Sequence, residues 1–387
     1  MRRRELPLYF TLAVFALSAN AVPPLISTLS VRLSLPAWAL GLGITFQYVS
    51  FTALSWLGGA YCARRGIPYR VMVLAGLVVL ALTLAFAPFL LVSLPALLLW
   101  MCVLGLAGGS VETFASVGLT EDSPSASSKS LCLSQAFYAV GAFAAPQAAS
   151  VFLELAGGWK IAFALFGSLA AAVTVFYALF GRGGGPALGA PSPEKARGGE
   201  AELPARRGGS VSSFRFLIFA YAVTETFCGS WIPFMLENGR GFSARDAAAT
   251  SSYFWLGMMA GRLAIPLLPD RLTLHPALAG SSLLAAAAAL VLLLFPASSL
   301  LSLSVLGFAM GPIWPVAVRM AAERLRSPSL TASVIASGGL GAVAGPLFGS
   351  LLLAGGLARL YFPLIIALCI LVASVVAISL SPRRRPA

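Results

Sequence analysis

Charge is scarce in this sequence. Asp, Glu, Lys and Arg make up 10% of its 387 residues, where a soluble domain carries about a quarter. With 59% hydrophobic residues, such a chain cannot cover itself with a wettable surface, so a water-soluble globule is excluded and lipid becomes the solvent. Histidine is scarcer still. His275 stands alone, so no metal constellation and no Ser-His-Asp arrangement is available. A glycine-rich phosphate cradle followed by lysine is also missing, and the chain reads as no enzyme, without metal or cofactor. The five cysteines, Cys62, Cys102, Cys132, Cys228 and Cys369, fall within or at the ends of apolar runs with no ligand spacing and read as packing residues. A net charge of +13 would point to nucleic acid in a soluble protein. Here loops facing anionic lipid account for it, and no nucleic-acid site is read.

What the sequence has in abundance is apolar runs long enough to cross a bilayer, which takes about 20 residues. Six fall at 7–31, 36–62, 69–92, 95–118, 131–155 and 161–181, and six more at 214–236, 247–268, 277–295, 300–322, 330–354 and 361–381. The expected fold is an all-α membrane protein of twelve transmembrane helices in two pseudo-symmetric six-helix bundles, residues 1–181 and 214–387. Residues 182–213 between them, rich in Gly, Pro, Ala and mixed charge, cannot bury a core and read as a flexible cytoplasmic linker. The opening Arg2, Arg3 and Arg4 before an apolar run imitate a secretory signal. That run is long, contains Pro23 and Pro24 and lacks a small-residue cleavage site, so it reads as an uncleaved first span. With both termini cytoplasmic, only Arg32, Lys160, Arg240, Arg245 and Arg359 of the 26 basic residues lie outside, the asymmetry that sets orientation in multi-pass proteins of a cell's inner (plasma) membrane. Monomer is the default for such a bundle.

The halves echo one another. Gly141 and Pro146 recur as Gly341 and Pro346; Leu104, Gly105 and Ala107 recur as Leu306, Gly307 and Ala309; Asn20 falls on Glu225 and Tyr48 on Tyr253. Order and near-constant offset indicate a parallel duplication, in which substrate binds at mid-membrane between the halves. Two acids, Glu112 and Glu225, sit well inside predicted spans, where an ionisable group is a functional candidate because burying it is costly. No Lys or Arg lies in the interior of the first six spans to pair with Glu112, so burial favours its neutral form and makes it a candidate proton carrier. The blander alternative is a protonated Glu112 serving as interhelical glue through Asn20, Gln47 or Gln135. Glu225 could titrate too, or hydrogen-bond a helix of the other half. Asp270 and Glu323 sit at cytoplasmic ends near Arg262, Arg271, Arg319 and Arg324, where ion pairs would latch the inward face; Arg262, Asp270 and Arg271 are the candidate gate. The neutral polar groups at depth are Asn20, Gln47, Tyr48, Gln135 and Tyr138. Amides and phenols suit a polyhydroxylated neutral ligand, and the indoles of Trp231, Trp255 and Trp314 suit the apolar face of a sugar ring.

The run GGSVETFASVGL followed by LCLSQAFYAVGAF resembles the fucose:proton symporter family of the major facilitators, whose pattern there is a Gly-rich run, Glu-Thr, then Leu-x-Leu-x-Gln-x-Phe-x-x-x-Gly. TETFCGSW, YFWLGMMAGR and GFAMGPIWP extend the resemblance over most of the membrane part. It implies proton-coupled import of a neutral monosaccharide, with Glu112 as the proton-responsive glutamate, Gln135 and Tyr138 at the sugar-contact region and Trp314 as a matching aromatic. Two departures stand out. The first span has Asn20 where that family can carry an aspartate, so transport could be uncoupled or Glu225 could substitute. The loop signature Gly-x-x-x-Asp-Arg is eroded at Ala63-Arg64, while Asp270-Arg271 preserves an acid and a base. Gly341, Gly345 and Pro346 resemble a motif that marks drug and proton antiporters when it occurs in the fifth span, so a proton-coupled exporter of drugs or sugars is the rival expectation.

Overall fold

The computed structural model describes residues 5–121, 127–181, 211–265 and 274–379, and among them all regular structure is helical. Before the linker come α1 (Leu6–Ala19), α2 (Ile26–Leu33), α3 (Ala37–Arg65), α4 (Tyr69–Ala85), the single turn α5 (Ala87–Leu90), α6 (Leu94–Glu121), α7 (Ser127–Phe152) and α8 (Gly158–Phe180). After it come α9 (Val211–Arg240), α10 (Ala244–Ala264), α11 (Leu274–Leu294), α12 (Ser299–Met310), α13 (Ile313–Leu325), α14 (Pro328–Ala354) and α15 (Tyr361–Ser379). Residues 182–210 of the expected linker, with Asp270 and Arg271 of the expected gate, lie outside the described residues.

Proline explains where the rods break. Pro23 and Pro24 cannot donate backbone hydrogen bonds, so the first span consists of α1 and α2 joined through a short 3-10 turn, Pro23–Leu25. In the gap the Asn20 side-chain amide donates to the Ala16 carbonyl at 2.9 Å. Gly311 and Pro312 divide α12 from α13 in the same way.

Among the described residues nine helical stretches are long and apolar enough to cross a membrane, with Tyr69–Ala85 a shorter apolar helix. The expectation of twelve therefore holds in a coarser form, a multi-pass all-helical bundle. Of the other long helices, α7 carries Gln135, Tyr138 and Gln147, and α10 carries Ser251, Ser252, Tyr253 and Arg262. These two helices pack on one another across the two sets, so their polarity reflects a face turned toward protein rather than lipid.

Helices before the linker pack on one another, chiefly α6 on α3 and α4, α1 on α7, and α4 on α8; those after it pair α9 with α14, α10 with α12 and α11 with α15. The α10 and α12 backbones touch through glycine. A Cβ on Gly257 would strike the Ser304 carbonyl, and one on Gly307 would strike the Phe254 carbonyl, a close approach that only small residues allow between membrane helices.

The two sets join along α7 with α10 and α3 with α14. On the face where the chain turns at 34–36, 153–157 and 241–243, Arg245 pairs with Glu154 at 3.0 Å and the Asn238 amide donates to the Ser27 hydroxyl at 3.0 Å. Deeper, the Gln147 amide donates to the Ser252 hydroxyl at 2.8 Å. Between them Trp231 acts as a wedge: its indole N–H donates to the Pro346 carbonyl at 3.1 Å, and its ring lies against Gly349 of its own half and Gly41 of the other. A side chain at Gly41 would overlap both the indole and the Ser350 hydroxyl. Overpacking costs ~1–3 kcal/mol, enough to shift a two-state equilibrium about tenfold. Gly41→Leu should therefore open this face and raise the maleimide labelling rate of Cys228, which lines a crevice there with Asn20 and Trp255, by that factor. An unchanged rate would show that the wedge does not control closure.

Candidate functional site

Helical spacing assembles the site from both halves. Tyr221 and Glu225 share a face of α9 at i,i+4, Trp255 and Arg262 share a face of α10 at i,i+7, and Gln135 and Tyr138 lie one turn apart on α7. Tyr48 comes from α3 and Glu112 from α6.

At the centre, the Arg262 guanidinium donates to Glu225 at 3.2 Å and to the Gln135 side-chain carbonyl at 3.3 Å. The side chains of Arg262 and Glu225 are only 11% and 17% exposed. One oxygen is engaged on each acceptor, at distances beyond those of a tight charge-assisted bond. Arg262 thus corrects an expectation: grouped by sequence with Asp270 and Arg271 at the cytoplasmic end, it instead turns back along α10 and pairs at depth. The end of an apolar run marks where a backbone leaves the hydrocarbon, whereas a long guanidinium arm reaches further. Glu323 pairs with Arg319 at 2.9 Å within α13, in an exposed i,i+4 arrangement.

The Tyr221 hydroxyl is fully buried beside Glu225 and Arg262, yet it makes no hydrogen bond of normal geometry. Such an orphan is uncommon and calls for a physical reason. Sequence reading passed over Tyr221, although its position four residues before a membrane-buried acid was the available signal. Glu112 is partly buried and, among the described residues, has no hydrogen-bond partner; the charges acting on it are those of Glu225 and Arg262 across the interface. Tyr48 and Tyr138 face the same charges. Tyr138 packs in turn against Phe15 in a tilted contact, ring centroids 5.8 Å apart, and edge-on against Trp255 at 6.5 Å.

The structure therefore brings together Glu112, Glu225, Arg262, Tyr48, Gln135, Tyr138 and Trp255. Asn20 adjoins them through the crevice it shares with Trp255. Trp314 joins only through Tyr221, with ring centroids 6.0 Å apart. Gln47 is buried where the α3 backbone lies against Gly105 of α6. Trp231 is fully buried as the wedge described above, with its N–H already used. Among the described residues no group of His, Cys, Asp and Glu could hold a metal ion.

A multi-pass helical bundle in two interlocking sets, with charged and phenolic groups gathered between them, defines a membrane carrier. The Major Facilitator Superfamily model matches residues 8–327, and the chain belongs to that superfamily. Among solved structures, a bacterial homologue of the human lysosomal transporter Spinster, inward-facing and occupied, superposes with a TM-score of 0.75 at 15% identity over 97% of this chain and 96% of that one. A D-xylose–proton symporter superposes at 0.77 with 14% identity over 98% of each chain. The human organic anion transporter MFSD10 (TETRAN) superposes at 0.69 with 18% identity, over 97% of this chain and 99% of that one. At these identities the likeness concerns the fold. No curated protein sequence matches the chain. The protein is a secondary transporter that moves a small molecule across a membrane, not an enzyme.

Removing one partner of a buried ion pair strands the other, at a cost of about 3 kcal/mol. Glu225→Gln and Arg262→Gln should each lower thermal stability in detergent, while the double variant recovers more than half of the summed loss. Additive losses would mean that the two charges do not act as a pair.

Proposed function

We propose that this carrier imports a neutral monosaccharide together with protons, by alternating access between two six-helix halves, across a twelve-span topology in the plasma membrane with both termini cytoplasmic. The observation that carries the reading is the distribution of charge at the site. Arg262 is paired with Glu225, which leaves Glu112, among the described residues, as the acid of the site without a hydrogen-bonded partner, close to the phenols of Tyr48 and Tyr138. When Glu112 holds a proton, this lining is electrically neutral and offers both donors and acceptors to hydroxyl groups. An anionic solute would meet a guanidinium whose charge is already balanced by Glu225.

Glu112 takes its proton while the site faces outward with sugar bound and releases it once the inward-open state admits water. Sugar and proton then strengthen each other's binding by the same factor, as linkage requires. The sign follows: affinity is greatest where Glu112 is protonated and falls as pH rises through its titration. The fold it shares with a D-xylose–proton symporter is compatible with this reading. The same fold also serves an organic anion transporter and a nucleoside transporter, so the substrate class rests on the lining. A proton-coupled exporter is the second reading, favoured by the same lone acid near Tyr138, whose ring meets that of Trp255, where a lipophilic cation could replace the proton.

Uptake of labelled hexoses and deoxyhexoses into proteoliposomes, with and without an inward proton gradient, tests the proposal. Wild type should accumulate one of them, while Glu112→Gln should lose accumulation, keep exchange and bind sugar independently of pH. An unchanged pH profile in that variant would remove Glu112 from the mechanism. Gradient-driven movement of a lipophilic cation without any sugar uptake would establish the exporter.

A further inference from the structure

The first span breaks where the second half can reach it. Pro23 and Pro24 have no N–H, so the carbonyls of Ala19 and Asn20, at the C-terminal end of α1, lose the donors that a continuing helix would supply. Pro233 inside α9 does the same to the carbonyl of Gly229. Asn20, Pro23, Pro24, Gly229 and Pro233 line one crevice between the halves, with room for about one water-sized occupant. The Asn20 side chain gives one N–H to the Ala16 carbonyl at 2.9 Å, and among the described residues its side-chain oxygen accepts no hydrogen bond. Ser251, also in the wall, donates to the Ala248 carbonyl at 2.7 Å and keeps its oxygen lone pairs.

We propose that this crevice binds one dehydrated alkali cation, held by the backbone carbonyls of Asn20 and Gly229, the Asn20 side-chain oxygen and the Ser251 hydroxyl. Glu112 does not line it, and the site does not rest on the sugar reading. Its chemistry selects the class of ligand. The unengaged polar groups of the wall are chiefly oxygen acceptors, neither lysine nor arginine lines it, and the prolines withhold the amides that would repel a cation. Room for one small sphere leaves out organic cations. A divalent ion would call for carboxylate ligands, and none lines the crevice.

The electrostatics agree with the donor set. The electronegative end of α1 meets the crevice at Asn20, and unwound carbonyls at the C-terminal ends of broken membrane helices are suited to holding sodium. Glu225 stands one turn before Gly229 on α9, and its charge acts on Cys228 in the crevice wall. The ligands come from the end of α1 in one half and from α9 and α10 in the other. A bound ion therefore fastens the halves on the face that Trp231 closes and loses its ligand set when they part, so it favours this conformation by mass action.

Cys228 reports on the site from its wall. The full chain in lipid nanodiscs is exposed to a maleimide at constant ionic strength, with NaCl or KCl replacing choline chloride, and modification at Cys228 is read by mass spectrometry. At about ten times its half-protecting concentration, one of the two ions should slow labelling about tenfold and raise the thermal unfolding midpoint over the same range. Asn20→Leu and Ser251→Ala each remove an oxygen ligand, and Pro233→Ala returns an N–H to the Gly229 carbonyl; each should raise the half-protecting concentration several-fold. If Asn20→Leu does not fold, the other two variants carry the test. Protection by neither ion beyond choline, or protection unchanged in every variant that folds, overturns the site. Protection lost in these variants, in a protein that moves no hexose, upholds the site and discards the sugar reading.

Discussion

A charge held away from water must find a counter-charge or give up its ionised form, and that constraint organises the centre of this molecule. Glu225 meets it by ion pairing with Arg262, whose second bond reaches Gln135 in the other half. Among the described residues Glu112 has no such partner at hydrogen-bond distance, and in the proposed reading it meets the constraint with a proton. The pair and the lone acid occupy one interface, yet their needs differ, and the proposed proton coupling depends on that difference. A lining made wholly of amides and phenols would bind a polyol equally well and have nothing with which to sense a proton gradient.

The surrounding packing makes that interface movable without making it loose. Within the second set of helices, glycine lets α10 and α12 touch backbone to backbone, which binds those two helices closely. Between the sets, contacts are of a different kind: hydroxyl to amide at Ser252 and Gln147, an exposed ion pair at Glu154 and Arg245, and an indole seated in a glycine slot at Gly41. Each is individually modest, as the proposed alternating access would require of contacts that form and break. The wedge is the exception in depth, because a single methyl group at Gly41 would have no room.

Much of this was legible in the sequence. Composition alone requires lipid as solvent, and hydropathy locates most of the helices because every residue facing hydrocarbon must be apolar. It was weakest on α7 and α10, where one face meets protein and polar residues dilute the signal. Glu112 and Glu225 stood out because an acid in a span is costly wherever it points. Arg262 was misread because hydropathy locates backbones, while the position of a guanidinium depends on where a flexible arm six bonds long folds back. Tyr221 escaped notice because a phenol in an apolar helix is unremarkable until its hydroxyl is found without an acceptor. The role of Trp231 depends on Gly41, nearly two hundred residues away, a pairing that only the packed halves reveal.

The central claim is that the two buried acids divide the work, Glu225 as an ionised partner of Arg262 and Glu112 as the group that holds the proton. Infrared difference spectroscopy of the lipid-reconstituted protein, titrated from acid to alkaline pH, reads this directly through the stretching band of protonated carboxyl groups. The account predicts a band in hydrophobic surroundings that disappears as pH rises, is absent from Glu112→Gln and persists in Glu225→Gln. A band abolished by Glu225→Gln and untouched by Glu112→Gln would contradict it.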